Sequence, residues 1–111
     1  DKADKYFVSE LVREALTLLT HKEVPYKTAV IIDRFVEEKN RSVFHATIHV
    51  ERDSQKGIMI GKGGQKLVEI GTAAREQIEL MLGCKVLLHL HVNVTPDWTS
   101  NPAGLRSMGY E

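Results

Sequence analysis

An α/β domain with its helices packed on one side of a three-stranded sheet is the fold class this sequence predicts. Three patterns carry the prediction. Segments near residues 42–52 and 85–94 alternate apolar and polar residues at the period of a strand, and residues 8–19 and 67–82 repeat apolar residues at the period of a helix. Three glycines fall within four residues, 61–64, just ahead of the second helical stripe. In chain order the elements read α-β-β-α-α-β. Strands with one apolar face and helices with one apolar stripe bury both only by stacking as two layers.

Val8, Leu11, Val12, Ala15, Leu16 and Leu19 follow the i, i+3, i+4, i+7 spacing of a core-facing helix, with Asp4 as its candidate cap and Pro25 as a break after it. Residues 27–38 and 42–52 read as two strands joined by Lys39-Asn40-Arg41. The second puts Phe44, Ala46, Ile48 and Val50 on one face and His45, Thr47 and His49 on the other. The first alternates poorly, which fits a more buried position in the sheet. Asp53-Ser54-Gln55-Lys56 has the chemistry of a helix start, and Ile58-Met59-Ile60 leads into the glycines. Beyond them Leu67, Ile70, Gly71, Ala74, Ile78, Met81 and Leu82 trace another helix, which Gly83 would stop. In the last strand Val86, Leu88, Leu90, Val92 and Val94 point inward, and His89, His91 and Asn93 outward. Residues 96–111 form a tail of turn chemistry with a short helix after Pro102.

The 111 residues suffice for one domain, spanning 1–111 with that tail. Charged residues make up 27% and cancel, fifteen Lys and Arg against fifteen Asp and Glu, so any attraction for nucleic acid must be local. A lone Cys84 forms no internal disulfide and points to a reducing compartment. No apolar run reaches the length of a membrane span. The chain opens on Asp1-Lys2 rather than Met, a start expected of a domain excised from a longer protein or of a trimmed chain.

The glycines carry the chemistry. A glycine-rich stretch alone is often only a turn. Here a helix begins directly after it, turning free N–H groups and the positive end of its dipole toward the loop. From Arg52 to Lys66 stand four basic residues, Arg52, Lys56, Lys62 and Lys66, against Asp53 alone, a net charge of +3. A bare backbone, a helix N-terminus and clustered lysines together make a phosphate cradle. Ile58, Ile60 and Leu67 would wall it with an apolar surface, which suits unpaired bases better than a free mononucleotide. A nucleotide-binding P-loop is excluded: Gly57 precedes Gly61-Lys62 by one residue too few, and Gly63 occupies the place of the magnesium-holding hydroxyl residue.

The stretch Ile60-Gly61-Lys62-Gly63-Gly64-Gln65-Lys66-Leu67-Val68-Glu69-Ile70 resembles the KH signature, and the element order is that of the type II KH fold. Val24-Pro25-Tyr26, the run from Glu51 to Thr72, Leu82-Gly83-Cys84-Lys85-Val86, Trp98 and Gly109-Tyr110 are similar to the C-terminal domain of the Era GTPase family. The resemblance implies a single-stranded RNA-binding domain that takes the 3′ end of small-subunit (16S) rRNA during ribosome assembly, with the small ribosomal subunit and an N-terminal GTPase domain as partners. GTP and magnesium would belong to that other domain, leaving this fragment without cofactor and without enzymatic activity. A cytoplasmic location follows, with a membrane-peripheral one open to the full-length protein. The phosphate clamp would fall on Gly61, Lys62, Gly63 and Gly64, in the manner of KH loops that hold about four nucleotides. Lys56, Gln65 and Lys66 flank it, over a floor of Ile58, Ile60 and Leu67. One departure is that Trp98 is followed by Thr99-Ser100-Asn101 where the family usually has Arg.

Other candidates have plainer readings. His45, His49, His89 and His91 would assemble a zinc site only if two strands brought all four together; otherwise they line a solvent face, and no metal is expected. Trp98 is expected to anchor the tail rather than stack a base, and Cys84 to be a small buried hydrophobe. Glu37 and Glu38, adjacent on a strand, point apart and offer no acid–base pair. The alternative function is a protein-docking module that meets a GTPase domain or ribosomal protein through Glu10, Arg13 and Glu14.

Overall fold

The computed structural model describes residues 2–20, 28–100 and 102–109. Pro25, the flanking Val24 and Tyr26, and Tyr110 lie outside them.

The first apolar stripe forms helix α1, Lys2–Thr20, and sinks Val8, Val12 and Leu16 completely into the core. It starts ahead of Asp4, which therefore lies in the first turn, where a carboxylate complements the positive end of the helix dipole. Strands β1, Ala29–Glu38, and β2, Arg41–Val50, pair antiparallel with Glu38 opposite Arg41, so only Lys39-Asn40 is left as the connecting loop. Arg41 Nε donates to Glu38 Oε1 at 2.7 Å across this turn, an exposed pair worth under about 1 kcal/mol.

Strand β1 corrects an expectation. It is an edge strand rather than a more buried one, and its broken alternation comes from a β-bulge. Ile32 pairs with Ala46 but Arg34 with His45, so Asp33 is an extra residue. The inward phase then moves from Val30 and Ile32 to Phe35, and all three pack against the core. Asp33 Oδ2 accepts a hydrogen bond from Thr47 Oγ1 at 2.6 Å. Phe35 stacks on Phe44 with centroids 4.7 Å apart.

Helix α2, Asp53–Ile60, starts where the sequence predicts. Gln55 Oε1 accepts the backbone N–H groups of Glu51 and Arg52 at 2.9 and 3.0 Å, satisfying donors that a helix start leaves open. A single 3₁₀ turn over Lys62–Gly64 leads into α3, Gln65–Leu82, which ends at Gly83. Strand β3, Lys85–Val94, then pairs parallel to β2, giving the order β1-β2-β3 with β2 central. A parallel pair needs a long crossover; here it is α2, the glycine turn and α3. One core results, with Val8, Val12 and Leu16 of α1, Met59 of α2, and Ile70, Ala74 and Ile78 of α3 set against Phe44, Ile48 and Val50 of β2 and Val86 and Val92 of β3. The inward alternation expected of both regular strands is met.

The opposite face of the sheet carries the histidines. In register, His45 lies beside His89, but His91 lies beside Thr47 and His49 beside Asn93. The His45 and His89 rings stack with centroids 4.5 Å apart, and His49 Nδ1 lies 2.9 Å from Thr95 Oγ1. The four do not converge, and among the described residues no three His, Cys, Asp or Glu side chains form a metal-capable group. Burial lowers the His49 pKa below its usual value, with Asp33 opposing. The unfolded chain therefore binds a proton more readily, so this contribution to stability is present above about pH 6.5 and fades as pH falls from there toward the lower folded value. Stability measured by urea titration should drop between about pH 7 and pH 5, and His49→Gln should flatten that slope.

At the C-terminal end Trp98 is 3% exposed, in a 3₁₀ turn over Trp98–Ser100, and α4, Pro102–Ser107, packs on it. A Cβ on Gly104 would run into the Trp98 backbone, so that packing needs a residue without a side chain. Thr99 Oγ1 donates to Glu51 Oε2 at 2.5 Å and Thr95 N–H to the Val50 carbonyl at 2.7 Å, tying the tail to the end of β2. Trp98 is thus an anchor. Cys84 differs from expectation: it is exposed, because it follows Gly83 ahead of β3 and lies outside the inward alternation, with Sγ 3.5 Å from Ser42 Oγ.

Candidate nucleic-acid interface

The three glycines of the loop do different work. Gly61 has φ 75° and ψ 179°, a region only glycine occupies comfortably, and its N–H closes α2 on the Gly57 carbonyl at 2.9 Å. A Cβ there would lie 2.5 Å from Lys66 Cβ, so the chain can cross the start of α3 only as glycine. Gly63 (φ 62°, ψ 20°) and Gly64 (φ 79°, ψ 5°) are left-handed, and a Cβ on either would meet nothing within 4 Å. Their value is an open backbone. Gly64 caps α3 with no side-chain hydrogen bond; the N–H groups of Gly64 and Gln65 donate to the Gly61 and Lys62 carbonyls, so the turn is held by its own backbone and no side chain covers it.

Lys62 and Gln65 are exposed, while Lys56 and Lys66 are half-buried. Lys66 Nζ lies 3.4 Å from Glu69 Oε1, so part of the charge counted in the sequence is answered by a carboxylate one turn along α3. The loop opens onto a groove of about 390 Å³ between α3 and β3. One wall is Leu67, Val68 and Gly71; the other includes Leu88 and Leu90. Of the floor expected from the sequence, Leu67 lines this groove, whereas Ile58 and Ile60 are half-buried against the core and are not among its lining residues. Sequence reasoning missed the β3 wall and Arg75. Gly71 is legible in the sequence only as part of a stripe; a Cβ there would make an ordinary van der Waals contact with Leu90 Cδ1 at 3.6 Å, so glycine leaves that much more of the groove open.

At the end of the groove remote from the loop, Arg75 Nη1 donates to Glu79 Oε1 at 3.1 Å, and Glu79 Oε2 accepts the Val86 N–H at 2.9 Å. The Val86 bond foremost, with Arg75 and Lys85 adding to it, outweighs desolvation and holds the Glu79 carboxyl below its usual pKa.

A narrow apolar groove that ends in a bare, positively charged glycine turn is suited to an unpaired strand, with phosphates at the turn and bases along the walls. The family model of the KH domain matches residues 23–99, and the chain belongs to that family. Over its whole length it is similar to part of the Era GTPases. It is 51% identical to GTPase Era of Geobacter sp. (strain M21), covering 100% of this chain and 38% of that protein. For GTPase Era of Staphylococcus haemolyticus (strain JCSC1435) the identity is 49%, over 99% of this chain and 37% of the relative. The chain thus spans little more than a third of the length of these relatives. Two solved structures superpose with TM-scores of 0.90 at 42% identity, covering 96% of this chain and 36% of theirs. One is Aquifex aeolicus Era bound to GDP·AlF4−, and the other is Era in complex with MgGDPNP and nucleotides 1506–1542 of 16S ribosomal RNA.

Proposed function

We propose that this domain binds single-stranded RNA, the 3′ end of small-subunit rRNA, as the RNA-binding part of an Era-type GTPase acting in ribosome assembly. The carrying observation is the Gly61–Gly64 turn, free of any side-chain cap at the mouth of the α3–β3 groove. Gly61, Gly63 and Gly64 let phosphates approach the backbone, Lys62 supplies charge at the tip, and Lys56, Gln65 and Lys66 flank it. Leu67 and the β3 leucines receive the flat faces of the bases, with Ile58 and Ile60 bracing α2 behind the turn. None of the chain's seven aromatic residues stands in the loop, so stacking contributes little. GTP and magnesium belong to the N-terminal domain of the full-length protein, and this domain contributes binding rather than hydrolysis. A cytoplasmic setting goes with the Era-type reading. No helix among the described residues is long and apolar enough to cross a membrane.

An NMR titration with an RNA copying the 3′ end of 16S rRNA should shift amides of residues 56–67 together with Leu88 and Leu90. With about three phosphates neutralised, log affinity should fall against log salt with a slope near roughly −2. A slope near zero would remove the phosphate clamp from the account.

A second reading, docking to a GTPase domain or ribosomal protein, has one observation in its favour. Phe7 and Leu18 of α1 and Met81 of α3 are 51%, 65% and 42% exposed and lie around the Glu10, Arg13 and Glu14 face. No response to RNA, combined with binding to a separately expressed partner, would favour it. The two roles occupy different faces.

A further inference from the structure

We propose that Arg75 reads the base at the end of the groove remote from the glycine turn and selects a guanine there. This rests on the groove being the RNA site. Arg75 lines the groove and follows Gly64 by eleven residues, which places it about 16 Å along α3, on the scale of the four or so nucleotides a KH groove holds. Among the described residues lining the groove it alone carries charge.

Two features favour a base edge over a phosphate as its target. The Arg75 charge is already matched by Glu79 at 3.1 Å, which makes the guanidinium a weak trap for a phosphate but leaves its planar fork of donors intact. Glu79 is itself fixed by the Val86 N–H at the start of β3, so the fork is held by both walls of the groove rather than swinging from a free side chain. The side chain keeps 37% of its surface exposed, with one of five N–H groups committed to Glu79. A rigid fork above an apolar wall matches the O6 and N7 acceptors of guanine, the commonest arginine–base pairing.

The experiment measures affinities of the full chain for short single-stranded RNAs in which each position is in turn guanine, adenine, cytosine or uracil. Wild type should prefer guanine at one terminal position of the bound stretch by about tenfold or more. Arg75→Lys, which keeps the charge and loses the fork, should erase that preference while leaving discrimination at other positions and the salt slope unchanged. Glu79→Gln still offers an oxygen to the Val86 N–H but loosens Arg75, and should weaken the preference in a protein whose melting confirms it is folded. An equal loss of affinity for all four bases, restored by lysine, would mean a phosphate contact and overturn the proposal. So would a guanine preference that survives Arg75→Lys. If wild type binds none of the RNAs, the reading of the groove itself falls.

Discussion

A protein carrying Lys62→Asp and Gly63→Asp together is expected to stay folded and to lose single-stranded RNA binding by roughly 100-fold or more. The fold should survive because Gly63 occupies the left-handed region at φ 62°, ψ 20°, which aspartate tolerates better than most residues, and a Cβ there meets nothing within 4 Å. Lys62 is exposed and makes no contact the core depends on. The structural cost is about 1 kcal/mol. Binding is a different matter. Two carboxylates would stand where phosphates are to lie, replacing a cation and filling the open space beside the Gly63–Gly64 backbone. Losing one or two charge-assisted contacts at about 1.5–3 kcal/mol each accounts for the hundredfold, before repulsion is added. Thermal melting and an RNA titration on the same sample check both halves. Full affinity in the folded double variant would show that the phosphates lie elsewhere.

The second large effect is on stability and distinguishes the glycines from one another. Gly61→Ala should destabilise the domain by about 3 kcal/mol, whereas Gly63→Ala should cost about 1 kcal/mol. Gly61 combines φ 75° with ψ 179°, where a side chain costs about 1–3 kcal/mol of backbone strain. Its Cβ would also press on Lys66 Cβ at 2.5 Å and on the Lys66 nitrogen at 3.0 Å, a clash with the root of a helix that adds a similar amount. Gly63 has a strained φ but empty space around it. Urea unfolding of the two variants beside wild type tests this, and equal losses would mean that the crossing of Gly61 over α3 is not what requires glycine. Gly61 sets the angle between α2 and α3, and Gly63 and Gly64 keep the turn bare.

Much of the site is legible in the sequence. The glycine turn, the start of α2 at Asp53 and the end of α3 at Gly83 are local matters of backbone freedom and helix ends, and these are written in a few adjacent residues. The inward faces of β2 and β3 and the stripe of α1 are legible for the same reason: a period of two or of 3.6 needs no knowledge of what it packs against. Strand β1 shows where that ends. One extra residue, Asp33, shifts the period midway, and a shifted period looks like no period at all, so an edge strand reads as a buried one.

What the sequence determined by itself was therefore the order of helices and strands, the apolar faces of α1, α3, β2 and β3, and that a bare basic turn lies between α2 and α3. Only the tertiary structure decided what faces that turn. The parallel pairing of β3 with β2 brings Leu88 and Leu90 beside Leu67 and Gly71 to make a groove, lays His45 on His89 while holding His49 and His91 apart, and joins Arg75 to the backbone of Val86 through Glu79. The reason is physical. Periodicity is a property of one segment, but a groove is the distance between two, and that distance is fixed by how the crossover packs on the core.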